Sequence, residues 1–571
     1  MTGFDLIIRG GTVFDGQGRP GRLADVGVRG DRLAAVDDLG AADATVVLEA
    51  EGQVVAPGFI DIHSHADETI LLYPGADNFI RQGVTTVVGG NCGFSPAPLG
   101  ERWLLSFWEF DWWDELVPGK YDRAGSADLE TIRRLAAERN GLAIDWRTFG
   151  EFLDRVERAH PGVNYVPLVG HNPLRVTAMG ADHDRPCTPG ELRQMQDLLA
   201  EALAAGAHGL STGLDYEPGA HAEPSELLAL LQTVAGAGAL HATHWRRTGI
   251  RKGTGARALV RGLHEAVEMA ARTGGRLQIS HLMPAYQVYP APPQEVWRAV
   301  TAATLGVIDE ARDHGVDLAF DVIPNTDGGV ITAPYLVSLL TPWLRDAGSP
   351  EQLARNLRAA DLRREIRDYI AAGRWYALNP LLDPDWACRV ELPETGRNLA
   401  ETAAAGDPLE TMFDLITASP RARLRYAPAL SEVAVQLLYE HPLAMVGQDT
   451  FALDTGWQVH TPPYYLPHPN TYGGVARFLR VYGRELGPAG AVARLTGRPA
   501  AVLGLADRGR IIPGAAADVV VFSPDEVTER GDHLEPRVYP AGITHVVVNG
   551  RPVVTGGEPN GVRAGRVLRR S

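Results

Sequence analysis

Apolar and polar positions along the 571-residue chain fall into three stretches of different rhythm. Residues 1–57 carry short β-branched runs broken by Gly and Asp: "FDLIIRGGTVFDG", "ADVGVRGDRLAAVDD" and "ATVVLEAEGQVVAPG". Such runs predict short strands joined by turns. The C-terminal end repeats the pattern. There "RIIPGAAADVVVFSP" is followed by "THVVVNGRPVV", in which Asn549-Gly550 between two valine runs signals a tight hairpin. Two β-rich ends around a different middle predict a small β-sandwich domain built from residues 1–57 and 500–571.

In the middle, residues 58–499, apolar runs of strand length alternate with segments of helical length. Eight runs stand out: 59–65, 84–91, 164–171, 207–213, 240–245, 276–281, 316–324 and 443–449. Between them lie amphipathic stretches such as "PGELRQMQDLLAEALAAG" (189–206), with Pro and Glu near its start and Gly at its end. Nearly continuous apolar strands separated by helices predict parallel strands covered on both faces. Eight such units predict an α/β fold of the (β/α)8 TIM-barrel type. Two connections are long. Residues 92–163 include "ERWLLSFWEFDWWDELVPG", with Trp103, Trp108, Trp112 and Trp113, and residues 325–442 form an insertion before the last strand. Each is either a lid or pocket wall, or a segment that packs against the barrel.

The residues that end the runs bear on chemistry. Run one ends in His63 and His65, and run two leads into Cys92. Run three ends at His171, run five reaches His244, run six ends at His281 and run eight at Asp449. In this barrel, active sites gather at the C-terminal ends of the strands. His63 and His65 are two apart on a strand, so they share a face and can serve one metal. His63, His65, Cys92, His244, His281 and Asp449 together form an N/S/O ligand set suited to zinc. His241 lies three residues before His244 and is expected on the other face, as a structural histidine.

Composition narrows the function classes. A formal net charge of -16 argues against nucleic acid or anionic membranes as partners. No run of 18 apolar residues predicts a membrane span, and "MTGFDLIIRGGTVFDG" does not read as a signal peptide. Three scattered cysteines, Cys92, Cys187 and Cys388, are too few for a disulfide framework and point to a reduced, cytoplasmic setting.

Several longer stretches carry a resemblance. "APGFIDIHSHAD", "GVTTVVGGNCGFSPAP", "VPLVGHNPLR", "GAHGLSTGLDYEPG", "ATHWR", "ISH", the Asp of "VGQD" and "LTGRPAAVLGLADRGRIIPGAAADVVVF" run through nearly the whole chain. The chain resembles the amidohydrolase superfamily, and within it the N-acyl-D-amino-acid deacylases, or D-aminoacylases. The resemblance implies a zinc-dependent hydrolase acting on a small-molecule amide. It implies that Cys92, His244 and His281 hold a tightly bound zinc, and that His63 and His65 serve a second metal position bridged by Cys92. Zinc brings the pKa of a bound water to about 7. Asp449 is then placed as general base and later general acid. His171 stands either as an aid to oxyanion or product binding or as a hydrogen-bonded structural histidine. Tyr216 and Arg246 are implied to face the pocket, where an arginine suits a carboxylate.

The chain departs from the family pattern at three places. Met283 stands where many relatives have a lysine after the strand-six histidine. Asn470 follows His-Pro where many have arginine, and the aspartate lies in "GQDTFALDTG" instead of a G-S-D-G setting. The metal ligands are untouched by these changes, while carboxylate binding is put in question. A non-enzymatic scaffold of the same fold is disfavoured because the ligand set is intact, and two enzymatic rival readings remain. One is a cyclic amide or imide hydrolase of the dihydroorotase and hydantoinase kind, which keeps the metal. The other is a serine hydrolase using Ser211 of "GLSTG", which leaves the histidines and Cys92 without a purpose. "GTGARA" (253–258) imitates a dinucleotide fingerprint but does not directly follow a strand.

Overall fold

The structure is a computed structural model. It describes residues 3–40, 42–104, 126–247, 258–284, 292–326, 330–372, 381, 386–427, 430–460, 462 and 464–570. Trp108, Trp112, Trp113 and most of "GTGARA" lie outside the described residues.

Eight parallel segments form the barrel. They are Phe59–Asp61, Val84–Gly89, the broken strand Asn164–Pro167 and Val169–Gly170, Gly209–Gly213, Leu240–His244, Arg276–Ile279, Leu318–Val322 and Ala444–Val446. Every one is buried except the first residue of the sixth, as expected of strands covered by helices on one side and a filled interior on the other. Backbone bonds close the ring between the last and first strands: the Asp449 N–H donates to the His63 carbonyl at 2.9 Å, and the His65 N–H to the Thr450 carbonyl at 2.8 Å. Ile60, Ile62, Val88, Val166, Leu168, Leu240, Ala242, Ala319 and Met445 pack together and fill the interior. Leu240 and Ala242 lie in this interior group, and by the two-residue period of a strand His244 points the same way. His241 points outward, where its Nε2 meets the Thr212 hydroxyl at 3.0 Å.

The helices follow their sequence signals. Pro189–Ala204 starts with a capping box: the Thr188 hydroxyl accepts from the Glu191 N–H, and the Glu191 carboxylate accepts from the Thr188 N–H. Pro189 occupies the first turn, where its missing N–H costs nothing.

Strands from both chain ends hydrogen-bond into one nine-stranded sheet. Val519–Phe522 pairs antiparallel with Val54–Pro57 and joins the two ends. Val519 and Val521 enter the sheet's own apolar cluster, while Val520 and Phe522 pack on the barrel core beside Phe59 and Val84. The period-2 alternation thus glues the sheet to the barrel. The Asn549-Gly550 turn has positive φ at both residues (47° and 79°), with Val548 paired to Arg551, as a two-residue hairpin requires. Between barrel strands seven and eight, Leu336, Trp343, Leu353, Met412, Phe413 and their neighbours form a separate core. Among the described residues, no helix is long and apolar enough to cross a membrane.

Candidate metal centre

Cys92 is delivered by a turn that only small residues allow. Gly90 and Gly93 both have positive φ (87° and 79°), and a Cβ on Gly90 would sit 1.9 Å from the Leu168 carbonyl oxygen. Ser211 braces the turn from strand four. Its hydroxyl accepts from the Gly93 N–H at 2.9 Å and donates to the Gly90 carbonyl. With both hydrogen bonds committed and no exposure to solvent, Ser211 shapes the Cys92 turn and is not a nucleophile. Cys92, His281 and Asp449 all adopt positive φ (53°, 36° and 53°). Left-handed backbone costs roughly 1–2 kcal/mol per residue without glycine, and such strain concentrates where side chains must be aimed.

The aim is convergent. The Cys92 Sγ lies 3.3 Å from His63 Nε2, 3.6 Å from His244 Nδ1 and 3.5 Å from His281 Nε2. An Asp449 carboxylate oxygen lies 3.4 Å from His63 Nε2 and 3.2 Å from His65 Nε2. Two donor groups result, His63–His65–Cys92–Asp449 and Cys92–His244–His281, each with its atoms within 4.8 Å of one another, and Cys92 belongs to both. These separations suit zinc. Bond lengths of about 2.3 Å to thiolate and about 2.05 Å to imidazole give a tetrahedral edge of about 3.6 Å between sulfur and nitrogen. The same construction gives roughly 3.4 Å between an imidazole nitrogen and a carboxylate oxygen.

Carboxylates behind the rings set their tautomers. His63 Nδ1 faces Asp321 at 3.4 Å, His65 Nδ1 faces Glu68 at 3.2 Å, and His244 Nε2 faces Asp215 at 3.3 Å. A ring nitrogen that donates to a carboxylate leaves the other as a lone pair for a cation. Asp321 also accepts from the His281 N–H (2.8 Å) and from the Gln278 amide (2.8 Å), so one buried acid orients two ligands.

The electrostatics describe a site that wants positive charge. Burial opposes ionisation of Cys92, but His63 and His281, with hydrogen bonds from His244 and His281, hold its thiol well below the ordinary thiol range. Burial also opposes ionisation of Asp449, yet His63 and His65 hold it well below the usual carboxylate range. In turn, Asp321, Cys92 and Asp449 outweigh burial and raise His63, and Asp449, Cys92 and Glu68 do the same for His65. Burial, helped by Arg247 and His244, lowers His281 to about 4, leaving a neutral imidazole. Thiolate, carboxylate and imidazoles are the donors that zinc takes.

The remaining sequence candidates divide. The Tyr216 ring packs at a tilt on His244, with centroids 4.4 Å apart, and on Phe94 at 5.4 Å, so it stands against the cluster. His171 is fully buried, with Nε2 2.7 Å from Glu226, and Glu226 is also ion-paired with Arg175. No described contact brings His171 to Cys92. The Arg246 guanidinium is turned to Glu265 (3.1 Å) and to the Leu214 and Ala220 carbonyls. The next residue reaches the site instead: an Arg247 Nη lies 3.0 Å from His244 Nε2. Sequence reasoning missed Asp321, Glu68, Asp215 and Arg247. An acid inside the apolar strand "LAFDV" and an acid three residues after His65 were the available signals. Beside the cluster, a narrow cavity is lined by Phe94, Leu99, Trp103, Leu104, Val176 and Glu68 among others.

A family model described as "Amidohydrolase family" matches residues 46–369 and 405–554. The chain belongs to the amidohydrolase family. It is 36% identical to an N-acyl-D-glutamate deacylase of Alcaligenes xylosoxydans xylosoxydans, over 99% of this chain and 96% of that protein. Its fold matches a crystal structure of N-acyl-D-glutamate deacylase from Bordetella bronchiseptica, complexed with zinc and a phosphonate that mimics the tetrahedral intermediate. That match has a TM-score of 0.70 at 31% identity and covers 100% of both chains. A D-aminoacylase studied for its binuclear metal centre matches with a TM-score of 0.69 at 31% identity, over 99% of this chain and 100% of that one. A D-hydantoinase, at 13% identity and TM-score 0.55 over 100% of this chain and 99% of that one, shares the fold alone.

Proposed function

We propose that the chain is a zinc-dependent deacylase that hydrolyses the linear amide bond of an N-acyl-D-amino acid. The observation that carries this reading is the convergence of two donor groups on one thiolate, Cys92, with the Asp449 carboxylate against both strand-one imidazoles. Cys92, His244 and His281 would hold one metal ion, and His63, His65 and Asp449, with Cys92, would hold a second.

When bound, the metal polarises the scissile carbonyl and acidifies a water. The chain's own residues move the proton. Asp449, held as a carboxylate, accepts a proton from the attacking water and returns it to the leaving nitrogen as the C–N bond breaks. Water's oxygen ends on the acyl carbon, so one amide and one water become one carboxylic acid and one amine. The Phe94–Leu104–Val176 side of the cavity offers an apolar surface next to Cys92 and Tyr216 for the uncharged part of the substrate. Linear amides are favoured over cyclic ones because the deacylase structure matches at 31% identity and a TM-score of 0.70, against 13% and 0.55 for the hydantoinase.

The test is product analysis on N-acetyl-D- and N-acetyl-L-amino acids, with protein as isolated, after chelation, and after zinc is returned. The D-series should yield acid and free amine, lose turnover on chelation and regain it with zinc. Turnover that survives complete metal removal contradicts the proposal.

A further inference from the structure

A substrate that carries a carboxylate besides its scissile amide needs a second, directional partner for that group, apart from the metal that takes the amide carbonyl. The arginines around the site are mostly committed elsewhere. Arg246 is ion-paired with Glu265, Arg175 with Glu226, and Arg102 donates to the Ser126 hydroxyl and carbonyl. Arg247 differs. Its chain leaves strand five three residues after His244, and one Nη lies 3.8 Å from the Met283 sulfur, two residues beyond the ligand His281. Its other Nη lies 3.0 Å from His244 Nε2, and its Nε has no hydrogen-bond partner and makes only a long ion pair, 4.0 Å, with Asp215, the carboxylate that also accepts from the Arg247 backbone N–H at 3.2 Å. The guanidinium therefore lies between the ligand-bearing ends of strands five and six, over the position that Met283 leaves without charge.

The hydrogen bonding gives the guanidinium a reason to be free when the site works. His244 presents Nδ1 to Cys92. A neutral ring that uses Nδ1 as a ligand carries its proton on Nε2, and that proton belongs to Asp215 at 3.3 Å. Arg247 then has no lone pair to donate to on His244, and its donors turn to another acceptor.

We infer that Arg247 is a specificity-determining residue, whose guanidinium holds a carboxylate of the substrate and supplies the positive charge that position 283 lacks. This rests on the deacylase reading. A planar fork with several donors matches a carboxylate in bidentate fashion.

The test compares Arg247→Met, Arg247→Lys and the double variant Arg247→Met with Met283→Lys, each zinc-loaded. The substrates are N-acetyl-D-glutamate and its two monoamides, blocked at the α- or the side-chain carboxylate. Arg247→Met is expected to raise KM for N-acetyl-D-glutamate roughly 10–100-fold with kcat changed far less, the size of one lost charge-assisted contact. It should also erase the discrimination against one monoamide, and which one identifies the carboxylate held. Lysine at 247, or at 283 in the double variant, should restore part of the affinity, while zinc content stays that of the parent. Titration calorimetry with N-acetyl-D-glutamate gives a readout independent of turnover. Parent protein that binds without cleaving, and loses binding in Arg247→Met, keeps this assignment and removes the deacylase reading. An unchanged KM in a turning-over Arg247→Met variant overturns the assignment, as does a variant that loses zinc, and a parent that neither binds nor cleaves overturns both.

Discussion

A single sulfur is common to both donor groups, and this makes unequal predictions for the ligands. Cys92→Ser should empty both metal positions, whereas His63→Ala should empty one and leave the Cys92–His244–His281 position filled; metal analysis after gel filtration reads the difference. Equal losses in both variants would contradict the shared-ligand geometry. Asp449→Asn keeps a similar volume but cannot take the proton, so kcat should fall by about 10²–10⁴, the ordinary size of a general acid–base contribution. The Cys92–His244–His281 metal should remain. His171 belongs to a different problem. Burial opposes ionisation of Glu226, but His171 and Arg175 hold it at about 2 from an ordinary 4.5. A depressed carboxylate gives stability that is complete above its unfolded pKa near 4.5 and is lost as pH falls through about 2. Glu226→Gln should therefore destabilise the protein by roughly 3–5 kcal/mol at neutral pH, because it strips the buried Arg175 of its counter-charge. Denaturant melts at neutral pH and near pH 3 should show a smaller gap between the two in the variant. A fall in kcat with no loss of stability would instead move this trio into the catalytic machinery.

At the scale of elements, the site is a set of strand ends, and its weak points are the turns that aim them. Gly213 ends strand four, and a Cβ there would meet the Cys92 carbonyl oxygen at 1.9 Å. Gly213→Ala replaces no ligand, yet by pressing on the Cys92 backbone it should push that turn aside and weaken metal binding by an order of magnitude or more. Metal titration of that variant against a remote Gly→Ala at the exposed, φ-positive Gly141 separates turn displacement from a general glycine effect. Strand ends were legible in the sequence because ligands at the C-terminal ends of apolar runs have few other reasons to recur. His63 and His65 shared a face by simple periodicity. The supporting acids were harder to read. Asp321 looks like any strand residue until the fold pairs strand seven with strand six and brings the Asp321 carboxylate to His63, and Arg247 follows an arginine that the family pattern favours. Only the three-dimensional course of the chain after His244 separates the two guanidiniums.

For the whole molecule, the alternation that marks terminal strands also explains how they attach. Val520 and Phe522 face the barrel and Val519 and Val521 face the sheet's own core, so one four-residue strand serves two interiors. The (β/α)8 order was readable because eight apolar runs recur between helical segments. The organisation of the insertion before the last strand was not. Its apolar residues are spread over short helices and a three-stranded sheet, and they serve a core of their own, so no single period governs them. The account of the molecule depends on the thiolate at its centre, and cobalt(II) titration of the metal-free protein tests that most directly. Cobalt bound by Cys92 should give a sulfur-to-metal charge-transfer band that grows to saturation with the metal added. The band should vanish in Cys92→Ser and persist in Cys187→Ser, whose thiol burial pushes up to about 12. A band unaffected by Cys92→Ser, or cobalt binding with no such band, would contradict it.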